Sequence, residues 1–237
     1  MDVNSTNFLI AFLLGLMPAL FWLWFWLRED KKNPEPFFLI AIAFIAGMAV
    51  VPLALPVQKL AIDIYTGDNL MLAWVTIEEV LKYTAALFVI LWNKAVDEPI
   101  DSIIYMITIA LGFAALENTL FILSPLSLEE YTTVAVTGSF RFLGATLLHV
   151  LASATIGVLL AFAFYKSTTI KLIYGTIGLF IAILLHALFN FFIMDASGGG
   201  ILIIFLFVWI GIIALFLLFE KIKLLKKSKT RRSRKRI

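Results

Sequence analysis

Seven apolar runs of about 20 residues each dominate this chain, near 8–27, 37–56, 70–92, 101–123, 141–165, 171–194 and 201–219. That length crosses the hydrocarbon core of a bilayer as a helix. In lipid every backbone N–H and C=O must be paired internally, so only helices and closed barrels can span. The short alternating polar and apolar segments of a barrel are absent. The expected fold is therefore all-α: a polytopic helical membrane protein of about seven transmembrane helices. Pro52 and Pro56 predict a kink or early end in the second run, which would raise the count to eight. The composition agrees, being 62% hydrophobic and 15% charged against roughly 25% charged in ordinary soluble domains. Residues 1–220 read as one membrane-embedded domain and 221–237 as a basic tail, expected to be disordered. The leading MDVNSTN has no positive charge, so the first run is not expected to be a cleaved signal peptide. The chain has no cysteine, which excludes disulfides, thiolate metal sites and cysteine nucleophiles.

Orientation follows from the uneven placement of lysine and arginine. With the N-terminus outside, the inner segments hold Arg28, Lys31, Lys32, Lys94, Lys166, Lys171 and the basic residues from Lys221 to Arg236. The outer segments hold only Lys59 and Arg141, and Lys82 falls inside a span. A cell-membrane protein with a cytoplasmic C-terminus is expected. The tail KIKLLKKSKTRRSRKRI follows a span directly and lacks aromatic residues for stacking on bases. It predicts contact with anionic lipid, each basic residue contributing roughly 1 kcal/mol near the surface, rather than nucleic-acid binding.

The third run carries Glu78, Glu79 and Lys82. On insertion scales each such residue costs ~2.5–3.5 kcal/mol at mid-bilayer, so partners inside the bundle are required. Other runs supply Glu117, Asn118, His149, His186 and Asn190. At a rise of ~1.5 Å per residue, Glu78, Glu79, Glu117, His149 and His186 all fall roughly 9–14 Å below the outer surface. Four spans thus place ionisable groups in one layer, which predicts a single buried site. Lys82 can reach Glu78 at four residues or Glu79 at three. His186 and Asn190 share a helix face. Below His149 the stripe Ser153, Gly157 and Ala161 predicts close approach of another helix. Taken singly, each polar residue reads as an interhelical hydrogen bond, and the Glu–Lys group as a buried salt bridge; only their coincidence in depth argues for more.

Two carboxylates and two imidazoles could activate water or hold a divalent metal, since catalytic zinc uses three protein ligands and leaves a position for water. Metalloprotease motifs with paired histidines on one helix are absent. Ser139 and Ser153 sit in no nucleophile elbow, and glycine-rich nucleotide loops are missing.

The motifs resemble the PrsW-type intramembrane proteases, relatives of the CAAX prenyl proteases. EEVLK at 78–82 is similar to the family's EExxK element, FAALEN at 113–118 to its Phe-x-x-x-Glu element, and HALFN at 186–190 to its late His-x-x-x-Asn element. His149 falls where a further histidine is expected, and PALFWLWFWLREDKKNPEP is similar to the family's opening. The resemblance covers roughly 15–195. CAAX proteases carry histidine where this chain has Glu117, which favours the PrsW branch over prenyl-protein processing.

This resemblance implies peptide-bond hydrolysis of single-pass membrane proteins, such as anti-sigma factors, near the outer face. It implies that Glu78 activates water, that Glu79 orients the site through Lys82, and that His186 and Asn190 stabilise the oxyanion. If a metal is used, zinc is expected, with Glu117, His149 and His186 as ligands and Glu78 as base. The alternative function is a proton- or cation-coupled transporter using the same carboxylates, although the internal repeats common in transporters are not found.

Overall fold

The computed structural model describes residues 4–29, 33–196 and 198–225. Among these, the regular structure is entirely helical: α1 Ser5–Glu29, α2 Phe37–Ile62, α3 Gly67–Ala86, α4 Asp101–Ser127, α5 Tyr131–Phe140, α6 Thr146–Phe162, α7 Thr168–Asp195 and α8 Gly199–Ile222. A π-helical turn, Leu87–Leu91, extends α3, and a second, Arg141–Ala145, joins α5 to α6 as one rod. The result is seven rods. Six are long and apolar enough to cross a membrane, and the seventh, α3, carries Glu78, Glu79 and Lys82. The protein is a multi-pass helical membrane protein. Most of the predicted basic tail, 226–237, lies outside the described residues; Lys221 and Ile222 still belong to α8.

Two boundaries differ from the sequence reading. The second rod neither ends nor splits at Pro52 and Pro56 but runs on to Ile62. Both rings lie on the exposed side of α2, and in a membrane bundle neighbouring groups and local adjustment can re-satisfy the carbonyls a proline frees. The fifth rod begins at Tyr131, ten residues before the expected 141. Arg141 looked like a flank of the span because it is charged. It lies inside the rod because Glu117 neutralises it.

α4 is the axis of the bundle. Every residue from Asp101 to Ala115 is buried, as expected of a helix that is apolar all round and surrounded by others. Small residues set how closely the neighbours approach. A Cβ on Gly112 would stand 1.9 Å from the Phe44 carbonyl oxygen, and one on Gly47 would stand 2.0 Å from that of Ile109. α2 and α4 therefore cross in backbone contact, the small-residue packing of membrane helices. Across the bundle, a Cβ on Gly157 would meet the Ile103 Cα at 2.7 Å, so the stripe below His149 packs α6 on α4 as its spacing predicts. Beyond the Gly47–Gly112 crossing, towards the α2–α3 and α4–α5 turns, Val51, Ala54, Leu55 and Gln58 of α2 border a cavity of about 400 Å³.

Candidate active site

α3 delivers two adjacent carboxylates to two environments. Successive helical residues are rotated by about 100°, so Glu79 points into the bundle while Glu78 turns towards the cavity. Glu79 is 0% exposed, whereas the Glu78 side chain retains 12%. Lys82, a turn further on, is fully buried and donates to Glu79 Oε1 at 2.5 Å. Of the two carboxylates within its reach, the ammonium takes the buried one. Its Nζ also lies 3.2 Å from His149 Nδ1 and 4.5 Å from the centre of the Phe113 ring.

Each histidine is gripped on one nitrogen by a carboxylate. His186 Nδ1 stands 2.7 Å from Glu79 Oε1. His149 Nε2 stands 3.0 Å from Glu117 Oε2. An ammonium only donates and an ionised carboxylate only accepts. The assignment that satisfies all of these contacts gives His186 its proton at Nδ1 and His149 its proton at Nε2. The lone pairs are then at His186 Nε2 and His149 Nδ1. His186 Nε2 faces Glu78 Oε2 at 3.9 Å, and the two imidazoles meet edge-to-face with centroids 4.9 Å apart. Glu78 Oε1 is fixed from the other side by Gln58 Nε2, which donates at 2.9 Å, while Trp74 Nε1 donates to the Gln58 carbonyl at 3.1 Å.

The structure thus brings Glu78, Glu79, Lys82, Glu117, His149 and His186 into one connected cluster. Asn190, a turn beyond His186, is half-buried and makes no side-chain hydrogen bond with the described residues. Ligand atoms of Glu78, His149 and His186 lie within 4.8 Å of one another. Glu117 instead takes its place behind His149, where Arg141 Nη2 also donates to its Oε2. Two residues that position this cluster were missed by the motif reading. Arg141 was counted only as an outer charge, and Gln58 gave no signal, being one polar residue near a helix end.

The cavity beside the cluster is lined by Glu78 and Glu117, by the aromatic residues Trp74, Phe113 and Phe121, and by Leu55 and Leu120. Its lining is mostly apolar with two carboxylates, and it lies within a bundle of membrane-length helices.

Comparison with known proteins decides the family. The sequence model of the PrsW family intramembrane metalloproteases matches residues 35–218. The chain belongs to the PrsW family. It is similar to the Protease PrsW of Clostridioides difficile, at 26% identity over 206 residues covering 83% of this chain and 84% of the relative. It is also similar to the Protease PrsW of Oceanobacillus iheyensis, at 27% identity over 209 residues covering 85% and 91%. No solved structure matches the chain. PrsW membership makes the protein an intramembrane protease of a metalloprotease family, and the transporter alternative gains no support.

The donor set fits the metal that the family name implies. One carboxylate and two imidazoles, from Glu78, His149 and His186, are an ordinary catalytic zinc set. Each histidine has a carboxylate on its far nitrogen, the arrangement that orients metal-binding imidazoles.

Proposed function

We propose that this PrsW-family chain hydrolyses a peptide bond of a single-pass membrane protein, of the anti-sigma-factor kind, near the outer membrane face, with Glu78 as the group that activates water. One observation carries the reading: of the two adjacent carboxylates, only Glu78 opens to the cavity, while Glu79 is sealed between Lys82 and His186. A water bonded between Glu78 Oε2 and His186 Nε2 would give its proton to the carboxylate as it attacks a carbonyl in the cavity. The proton then passes to the leaving amine. Glu79 and Lys82 hold the imidazoles in place, and Asn190, on the His186 helix, is the nearby amide suited to the developing oxyanion. With an ion bound, His149 and His186 would hold it together with one Glu78 oxygen, zinc by donor type, leaving the other Glu78 oxygen to take the proton of water, and Lys82 would release its contact with His149 Nδ1. Bound there, the ion would supply Lewis-acid polarisation of the water and carbonyl.

Chelation is the direct test. Purified protein treated with a strong chelator and dialysed should lose cleavage of a co-purified single-pass substrate. Stoichiometric zinc should restore cleavage to the wild type but not to His186→Ala. Full activity in rigorously zinc-free protein would reduce the site to a glutamate-only one.

The asymmetry of lysine and arginine supports an outside N-terminus and a cytoplasmic tail resting on anionic lipid. Opposite sides for the two termini require that α3 cross the membrane as well as the six helices that are long and apolar enough to do so. A reporter fused after Ile237 should read as cytoplasmic. An external reading there would turn the site towards the inner leaflet and undo the proposed place of cleavage.

A further inference from the structure

Arg141 is a charge inside an apolar rod, and its contacts explain its presence. Nη2 donates to Glu117 Oε2, Nε donates to Asn118 Oδ1 at 2.5 Å, and the guanidinium lies 3.9 Å over the Phe121 ring. Glu117 Oε2 is also the atom facing His149 Nε2 at 3.0 Å. Both Arg141 and His149 must therefore point at one carboxylate from the same rod. In a regular α-helix, residues eight apart are turned by roughly 80° and would not do so. The rod is not regular there, because Arg141 opens the π-helical turn Arg141–Ala145. A π-bulge takes up one extra residue, so the eight-residue spacing behaves as seven, close to two full turns. The wide turn thus puts the guanidinium and the imidazole on one face, and Asn118 Nδ2 pins the next turn by donating to Thr146 Oγ1 at 3.1 Å.

We propose that Arg141 is a positioning residue of the active site: held by the π-turn, it fixes the Glu117 carboxylate, which in turn fixes the proton and ring orientation of His149. Arg141 touches neither metal nor reacting atoms and acts through Glu117. The claim rests on the reading of His149 as a ligand, given under Proposed function, for its consequence in metal affinity, but not for its consequence in the imidazole itself.

The test uses the full chain in detergent with two readouts. Zinc affinity, measured by competition with a chromophoric chelator, should fall about 10–100-fold in Arg141→Gln, the usual effect of losing an outer partner of a ligand. Arg141→Lys should recover part of this, because an ammonium keeps the charge but not the two-pronged geometry. In a Glu117→Gln background the further change Arg141→Gln should cost little, since the path it serves is already cut. The second readout is metal-free. The chain has only two histidines, so ¹⁵N imidazole spectra assign readily with a His149→Gln control. Arg141→Gln should shift and broaden the His149 Nε2 signal, whose proton faces Glu117, while Nδ1 stays an acceptor for Lys82, and should leave the His186 signals in place. A purely structural arginine would lower the unfolding midpoint, add to Glu117→Gln, and leave both zinc affinity and the His149 Nε2 signal unchanged; that result overturns the proposal. If the wild type binds no zinc yet the His149 signals shift in Arg141→Gln, the metal reading fails and the positioning role stands.

Discussion

Glu78→Ala and Glu79→Ala are each expected to abolish detectable cleavage of a co-expressed single-pass substrate while both proteins still insert and accumulate. The reasons differ. Glu78 faces the cavity and is the group placed to take the proton of water, and loss of a general base costs about 10²–10⁴-fold in rate. Glu79 never meets substrate, but its Oε1 holds both Lys82 and His186, so its removal unfastens one imidazole and strands an ammonium. Glu78→Gln sharpens the comparison, because it keeps the volume and a hydrogen-bonding oxygen for Gln58 yet cannot accept a proton from water. Near-wild-type cleavage by Glu78→Gln would remove Glu78 as the water-activating group, whatever the fate of Glu79→Ala.

The fold was largely legible in the sequence because lipid leaves a chain few options. Runs of about 20 apolar residues have one reading, and seven rods stand where seven runs were found. The layer of Glu78, Glu79, Glu117, His149 and His186 was legible for a related reason: depth in a membrane is a count of residues, and charges that deep need one another. What depth does not give is azimuth. Lys82 could reach Glu78 or Glu79 by spacing alone, and the choice of Glu79 depends on which carboxylate is sealed by α6 and α7. Glu117, expected from the resemblance among the metal ligands, lies behind His149, while Glu78 joins the two histidines within 4.8 Å. The boundaries were misread where a local rule met a tertiary partner. Pro52 and Pro56 signal a break, yet their exposed face lets α2 continue. Arg141 signals a membrane edge, yet Glu117 neutralises it inside the rod. Its π-turn has no sequence signature, so the offset that aims Arg141 and His149 at one carboxylate becomes visible only in the folded backbone.

Lys82→Met should produce the largest loss of stability of any single change near the site. Lys82 and Glu79 are both 0% exposed, and their ion pair lies in the bundle interior. Removing one partner of a buried pair leaves an uncompensated charge and costs about 3–5 kcal/mol. Here the cost falls on a carboxylate whose Oε2 already lacks a hydrogen-bond partner among the described residues, leaving only His186 Nδ1 to satisfy it. The same change frees His149 Nδ1, which Lys82 contacts at 3.2 Å, so both imidazoles lose their fixed relation. Unfolding of the purified protein in detergent should show the drop directly. The double change Lys82→Met with Glu79→Leu should recover much of it, because replacing a whole buried pair by apolar groups of similar size is often neutral. Cleavage should remain absent in that stable double variant, since nothing then grips His186. If Lys82→Met unfolds like the wild type, the pair contributes little to the fold. If the double variant regains cleavage along with stability, the Glu79–Lys82 pair is a structural brace and not part of the catalytic alignment.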